Sequence, residues 1–327
     1  MRKERAGLAA LLVATATWVG CSDSTAPGAP PTMPVAPDVG TLEGTIVDGV
    51  REFRVRAHVF TQQIATFPLQ TAEVWGYNGS TPGPTAIAFE GEPIRFIVQN
   101  DLPEPTSVHF HGMHQPNEDD GVGGISQPTP IQPGQSFTYE FTPGHAGTFA
   151  YHAHTNDATQ ELRGLEGFFI ILPRSEQAGS RADRDYVFTL QSFFLPGEGM
   201  PVVPFPPGGE FNFHVMNGKT LDAASELEAK VGERVRLRFY NASQLQHAMH
   251  EHGADIVIES QNGHERVPVT VTTVDVGPGN FFEVAVVFDK PGKWLFHCHF
   301  PHHTSNDMMS GPNGQPVGMS RVFNVSE

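Results

Sequence analysis

Two cysteines in 327 residues, Cys21 and Cys298, allow at most one disulfide, so no cystine framework can hold this chain together. Basic residues are scarce as well. Twenty lysines and arginines against 36 acids leave a formal charge of -16, which opposes a polyanionic partner and excludes nucleic acid as a ligand class. Apolar runs are too short for a span of ~20 residues across a bilayer. The 3.6-residue periodicity of long amphipathic helices is also missing.

The N-terminus is a separate kind of sequence. Arg2, Lys3 and Arg5 precede an apolar stretch from Leu8 to Gly20 that ends at Val19-Gly20-Cys21. It resembles a bacterial lipoprotein export signal, with cleavage before Cys21 and a lipid anchor on that residue. Trp18 stands where such signals usually carry leucine, which leaves ordinary secretory cleavage nearby as an alternative. Residues 1–20 are therefore assigned to export. Residues 21–40, rich in Pro, Ala, Ser and Thr, are assigned to a tether. An exported protein of a bacterium is expected, periplasmic or anchored in the envelope.

Glycine (34) and proline (28) are what the chain has in excess, and they imply many turns and short strands. Alternating runs such as Arg234 to Phe239, Ile94 to Val98 and Phe281 to Phe288 read as half-buried strands. An all-β protein follows. The remainder divides into residues 41–177 and 178–327, each long enough for its own sandwich core.

Sixteen histidines complete the composition, and eight of them form four His-X-His pairs: His109/His111, His152/His154, His250/His252 and His297/His299. Chance alone yields roughly one such pair at this histidine content. Position lifts them above chance. Gly91, Asn100 and His109-Phe110-His111-Gly112 recur as Gly232, Asn241 and His250-Glu251-His252-Gly253, all displaced by 141 residues. Pro133-Gly134, Gly147 and His152/His154 recur as Pro278-Gly279, Gly292 and His297/His299, displaced by 145. The chain is an internal duplication. In a strand, residues two apart share a face, so each pair can aim two imidazoles at one metal site.

Cys298 lies between His297 and His299 and leaves the opposite face of that strand. A buried small apolar group is the ordinary reading of a lone cysteine. The flanking histidines, with His303 and Met308 downstream, favour a metal ligand instead. Thiolate, imidazole and a weak thioether are the ligand set of a blue-copper electron-transfer site. The second imidazole is His247, three residues before His250 and thus on the face that Cys298 shares. Met309 and Met319 compete with Met308 for the axial place, and His302 competes with its neighbour His303.

His109-Phe-His-Gly112, Tyr151-His-Ala-His154, His247-Ala-Met-His-Glu-His-Gly253 and His297-Cys-His with His303 and Met308 resemble, in order, the four copper-binding motifs of multicopper oxidases. Asn78-Gly-Ser-Thr-Pro-Gly-Pro84 resembles a turn of the first domain of that family. With room for two domains, the chain is similar to two-domain laccases. The resemblance implies two tandem cupredoxin-like Greek-key β-sandwich domains. It also implies four coppers per chain equivalent. The type 1 copper would be held by His247, Cys298, His303 and Met308, and the type 2 copper by His109 and His250. His111, His152, His154, His252, His297 and His299 would hold the type 3 pair.

Applying the same offsets, the first-half counterparts of His247, Cys298, His303 and Met308 are Thr106, Ala153, Ala158 and Arg163, which cannot rebuild a blue-copper site. The resemblance further implies a homotrimer with clusters between subunits, dioxygen as acceptor, and Asp120 as an acid delivering protons. Asp120 reads equally as a turn residue in Asp119-Asp120-Gly121. Small phenols or aryl amines are the favoured donors, since no methionine-rich stretch suggests cuprous ions. Metal-ion oxidation, copper nitrite reduction and non-enzymatic copper binding or electron transfer are the alternatives. His58, His114, His145, His214, His264 and His302 are left as surface or core groups.

Overall fold

A computed structural model describes residues 28–176, 179–306, 310–311 and 313–327. Strands dominate, as expected, and they form four sheets. In the first half, Gly83–Phe89, Glu166–Leu172, Gly147–Ala153 and Val108–His111 build one five-stranded sheet with Thr41–Leu42 at its edge. Its partner sheet runs through Val50–Thr66, Ile94–Asn100 and Ser136–Phe141, with Leu69–Tyr77 folded back on the long strand. A six-stranded and a five-stranded sheet repeat this plan between Arg184 and Ser326. The result is two tandem β-sandwiches of the cupredoxin type.

Alternation explains why each pair of sheets closes. Ile94–Asn100 buries Ile94, Phe96, Val98 and Asn100 and half-exposes the residues between them. Phe96 meets Phe110 edge-on at 5.2 Å, which joins the two sheets of the first sandwich. In the second sandwich Phe239 stacks on Phe296 at 5.5 Å in the same inter-sheet role.

The duplication extends to individual hydrogen bonds. Buried Asn100 donates to the carbonyls of Glu104 and Ile131, while Leu102 N donates to its Oδ1. Asn241 donates likewise to Leu245 and Val276 and accepts from Ser243 N. Those partners are displaced by the same 141 and 145 residues that separate the motifs. Each asparagine pins the turn that leads into a histidine-bearing strand.

Two shared apolar clusters join the halves. Ile87, Phe168 and Ile170 pack with Val187, Tyr240 and Phe281, and Ile64 and Val74 pack with Phe193 and Val215. Burying one such side chain stabilises by roughly 1.5–3 kcal/mol, so these contacts oppose relative motion of the sandwiches. A polar seam runs beside them. Arg238 donates to Asp185, Glu283 and the Thr148 hydroxyl, and Thr148 donates to Glu283 across the junction.

Part of the stretch expected as a tether is docked on the second sandwich. Val35 bonds the backbone of Asp185 and Val187, Pro37 accepts from Asn217, and Asp38 accepts from Ser225. Proline-rich composition suits an extended strap as well as a free linker, since its backbone carbonyls remain available as acceptors. The export signal and Cys21 lie outside the described residues.

Candidate metal centre

His247 opens the strand His247–Glu251, and Cys298 closes the strand Gly292–Cys298 beside it. His303 sits in the short helix Pro301–Ser305 that follows. All three side chains are buried. The two imidazole Nδ1 atoms are 3.1 Å apart, and the Cys298 Sγ lies 3.4 Å from that of His303 and 3.9 Å from that of His247. One ion bound to two nitrogens and a sulfur at ordinary ~2.0–2.3 Å bond lengths would space trigonal donors about 3.5–3.8 Å apart. The observed 3.1, 3.4 and 3.9 Å fall around that range, so the three donors can converge on one ion with small adjustment, and a thiolate with two imidazoles is a donor set that suits copper.

Hydrogen bonds fix which nitrogen of His247 faces inward. The Ser243 hydroxyl has Asn241 Oδ1 at 2.9 Å and Leu245 O at 3.0 Å to take its single proton, and with that proton on either oxygen it accepts from His247 Nε2–H at 2.8 Å. Nδ1 is left as a bare lone pair aimed at Cys298. Met319 brackets the ligand loop through its backbone, donating to His303 O and accepting from Cys298 N, and its side chain is buried in the cluster that contains Cys298. Met308 and Met309 lie outside the described residues.

His250/His252 and His297/His299 leave the opposite face of the two strands that carry His247 and Cys298, and His109/His111 and His152/His154 stand at the equivalent ends of Val108–His111 and Gly147–Ala153 in the first sandwich. Cross-strand register sets His109 against His152 in the first sandwich and His250 against His297 in the second. His109 Nδ1–H donates to the Asp120 carbonyl at 2.8 Å, and His250 Nδ1–H to the Thr272 carbonyl at 2.6 Å. His152 and His297 donate in the same way to Ala153 O and Cys298 O. Each of these four rings thus presents Nε2 outward. That is the way carbonyl partners orient metal-binding imidazoles. His111 Nδ1 lies 3.4 Å from His152 Nε2, and His252 Nε2 lies 3.2 Å from His297 Nε2. Two donors on one ion would stand about 3.3 Å apart.

The two sets remain separate within one chain. Ring contacts among the described residues run within His109, His111, His152 and His154, or within His250, His252, His297 and His299, and never between the groups. A cleft of about 410 Å³ opens over the first set, and its far wall is Tyr240, Gln244 and Pro278 rather than the second set. In the second set His252 and His299 are exposed.

Burial keeps many of these imidazoles neutral. It pulls His111 down to about 4 and His152 to about 3, with the neighbouring histidines adding to the effect. His303 is held at about 4 by the same causes, and His247, His252 and His297 are shifted downward. Neutral imidazole ligates without first losing a proton. The Cys298 thiol is different, because burial pushes it up to about 11, so an incoming ion must displace its proton.

Asp120 does lie beside the first set. Its Oδ1 is 3.3 Å from His109 Nδ1 and accepts from Gln115, while Oδ2 accepts from Ser126. Three polar groups escaped sequence reasoning. Glu161 Oε2 stands 3.7 Å from His152 Nδ1, its other oxygen accepts from Tyr240, and burial lifts its carboxyl to about 7. Nothing in its spacing advertises that position. Ser243, which orients His247, was equally silent. Glu251 was visible in principle, since it sits between His250 and His252 on the face that carries His247. It is buried, and burial lifts its carboxyl well above the ordinary carboxylate range.

The first sandwich has filled its vacant counterpart. Thr106 and Ala153 are fully buried, and the Thr106 hydroxyl donates to Gln160 Oε1 at 2.7 Å. Ala158 is exposed and Arg163 lies over the Trp75 ring at 4.6 Å. His302 is exposed next to His303 and does not join the Cys298 group.

Comparison with known proteins agrees with this architecture. Sequence profiles described as multicopper oxidase match residues 59–176 and 201–312. Laccase-1 of Cryptococcus neoformans var. grubii is 31% identical over 251 residues, 68% of this chain; the chain spans 39% of that protein's length. The blue copper oxidase of Nitrosomonas europaea has a similar structure, with a TM-score of 0.75 and 28% identity over 84% of this chain and 85% of that one. A copper nitrite reductase of the same organism shares the fold, with a TM-score of 0.69 and 22% identity over 84% of this chain and 94% of that one. Two matched profiles across most of the chain, on sandwiches whose histidines recur in register, make this protein a member of the multicopper oxidase family, with copper as its cofactor.

Proposed function

We propose that the protein is a laccase-like oxidase that takes single electrons from a small reducing substrate, a phenol or aryl amine in preference to a metal ion, and delivers them to dioxygen. Copper bound at these ligands supplies one-electron oxidation at the type 1 site and four-electron reduction of dioxygen to water at the type 2 and type 3 sites. The observation that carries this reading is Cys298. Its Sγ faces His247 and His303, while the rings of His297 and His299 on either side of it contact His250 instead.

In this reading His247, Cys298, His303 and Met308 hold the type 1 ion. His109 and His250 hold the type 2 ion, and His111, His152, His154, His252, His297 and His299 hold the type 3 pair. Cys298 links the two centres through its backbone, and its carbonyl also accepts from the His297 ring at 2.8 Å. Asp120, against His109, is assigned the delivery of protons. Because the histidine sets do not meet within one chain, each cluster is proposed to close between subunits of a homotrimer. Each subunit would then present its first set to one neighbour and its second set to the other.

Export and lipid attachment at Cys21 would place the protein in the bacterial envelope. A Cys21→Ser form should move from the membrane to the soluble fraction, and unchanged fractionation counts against the anchor. Nitrite reduction is the weaker reading, because it would call for a thiolate site in the first sandwich, where Ala153 stands. The test is oxygen uptake by copper-loaded protein with phenols, aryl amines and cuprous, ferrous or manganous ions, each with and without nitrite. Uptake with phenols and no nitrite turnover supports the proposal. Nitrite turnover without oxygen uptake overturns it.

A further inference from the structure

His214, one of six histidines that the sequence leaves as surface or core groups, lies directly against the proposed type 1 ligand set. It is fully buried in the strand Phe213–Met216, opposite Ser192 of the adjacent strand. Its ring stacks on that of His303 with centroids 3.9 Å apart and planes inclined by 23°. Two further contacts hold it there. Its Nδ1 is hydrogen-bonded to Ser192 Oγ at 3.0 Å, and its backbone N–H donates to Asn306 Oδ1 at 2.8 Å. Asn306 immediately follows the ligand helix and donates in turn to Val317 O.

Donor atoms of His214, His302 and His303 also come within 4.8 Å of one another, which raises the question of a second ion shared by them. The stack argues against joint ligation. A metal must lie near the plane of each ring that binds it, along the nitrogen lone pair, and two face-to-face rings have no such common point. His214 Nε2 is buried without a hydrogen-bond partner. A second ion would leave the stack unexplained, whereas packing accounts for both the parallel planes and the cross-strand anchor.

We infer that His214 is a positioning residue for the type 1 site: its ring, anchored by Ser192, backs the His303 imidazole and holds Nδ1 toward Cys298 and His247. This rests on the oxidase reading above. His303 is otherwise held by a helix of five residues, by Met319 N–H on its carbonyl and by the tilted Phe300 ring at 5.2 Å, none of which backs its ring face-on. His302 meets His303 edge-on at 4.3 Å and is exposed, so it cannot supply the same backing. A ligand whose ring is free to turn loses copper sooner and holds it in more than one geometry. Residues that orient metal ligands typically change affinity by about 10–100-fold when replaced.

The experiment uses full-length, copper-loaded protein in four forms: wild type, His214→Ala, His214→Phe and Ser192→Ala. Type 1 copper affinity is read by chelator competition, followed through the copper–thiolate absorption, and site homogeneity by electron paramagnetic resonance. Thermal unfolding of the copper-free proteins shows whether each variant folds. His214→Ala should retain type 1 copper about 10–100-fold less well and give more than one copper hyperfine pattern. Ser192→Ala, which keeps every ring, should shift in the same direction by less. His214→Phe keeps the stacked slab but loses the Ser192 bond, so it should shift no more than Ser192→Ala and far less than His214→Ala. Equal affinity and a single pattern in wild type, His214→Ala and Ser192→Ala overturn this inference alone, as does a loss in His214→Phe equal to that in His214→Ala. A wild-type protein with no copper–thiolate absorption overturns the oxidase reading together with it.

Discussion

Ala153 and Cys298 occupy the same place in the two sandwiches: Ala153 pairs with Val108 and Cys298 with Met249, each fully buried between two histidines that face the other way. Restoring sulfur at position 153 should nevertheless create no second blue site. Thr106 and Gln160 already bond to each other there, and Ala158 offers no donor in place of His303. Ala153→Cys should therefore leave the copper–thiolate absorption per chain unchanged. A doubled band would mean that the first sandwich still holds a competent ligand set.

Asn241 links stability to the proposed type 1 site. Its amide bonds Leu245, Val276 and Ser243, and Ser243 in turn holds His247. Losing four side-chain hydrogen bonds, at up to about 1 kcal/mol each, predicts that Asn241→Ala costs about 2–4 kcal/mol in denaturant unfolding, with fading of the copper–thiolate absorption. Asn100→Ala should cost a similar amount without touching the colour, because Leu102 stands where Ser243 does. Equal colour in both variants would break the proposed link.

How much of this was written in the sequence depended on whether a signal repeats. The cupredoxin fold and the Asn100/Asn241 pair were legible, because one displacement moves turn, strand and histidines together. Strand alternation correctly set His247 and Cys298 opposite His250 and His297. Ser243 and Glu161 were not legible, since each acts through a contact made by folding and neither has a functional twin in the other half. His214 was hidden for the same reason: it reaches His303 across 89 residues of chain (303 minus 214) through sheet packing alone. The docking of residues 29–38 was missed because composition describes stiffness and not destination.

Glu161 predicts a pH dependence of the copper-free protein. Burial raises its carboxyl from the ordinary 4.5 to about 7, so the folded state holds a proton that the unfolded chain releases in that interval. Its contribution to stability is complete below about 4.5 and is lost as pH rises through 7. Relative to Glu161→Gln, the wild type should lose about 1–3 kcal/mol between pH 5 and pH 8, the lower end allowing for water at its quarter-exposed side chain. Parallel unfolding curves for the two proteins would remove this role.

Separation of the histidine sets within one chain makes subunit mixing informative. One variant carries His109→Ala and His111→Ala, and the other carries His250→Ala and His252→Ala; each should be inactive alone. Unfolded and reassembled together in equal amounts, random rings would rebuild an intact pair of sets at roughly a quarter of their interfaces. Oxygen uptake should return to about that fraction. No recovery, with trimers re-formed, would place both sets of a cluster in the same subunit.

The most direct measurement of the central claim, that the chain couples one-electron oxidation at Cys298 to complete reduction of dioxygen at the histidine sets, is the stoichiometry of the reaction. Copper-loaded protein is supplied with a one-electron phenolic donor in a closed oxygen cell, with peroxide assayed in parallel. Four donor equivalents per dioxygen, no accumulated peroxide and loss of the reaction in Cys298→Ala are predicted. Two equivalents per dioxygen with peroxide released, or full activity in Cys298→Ala, would contradict it.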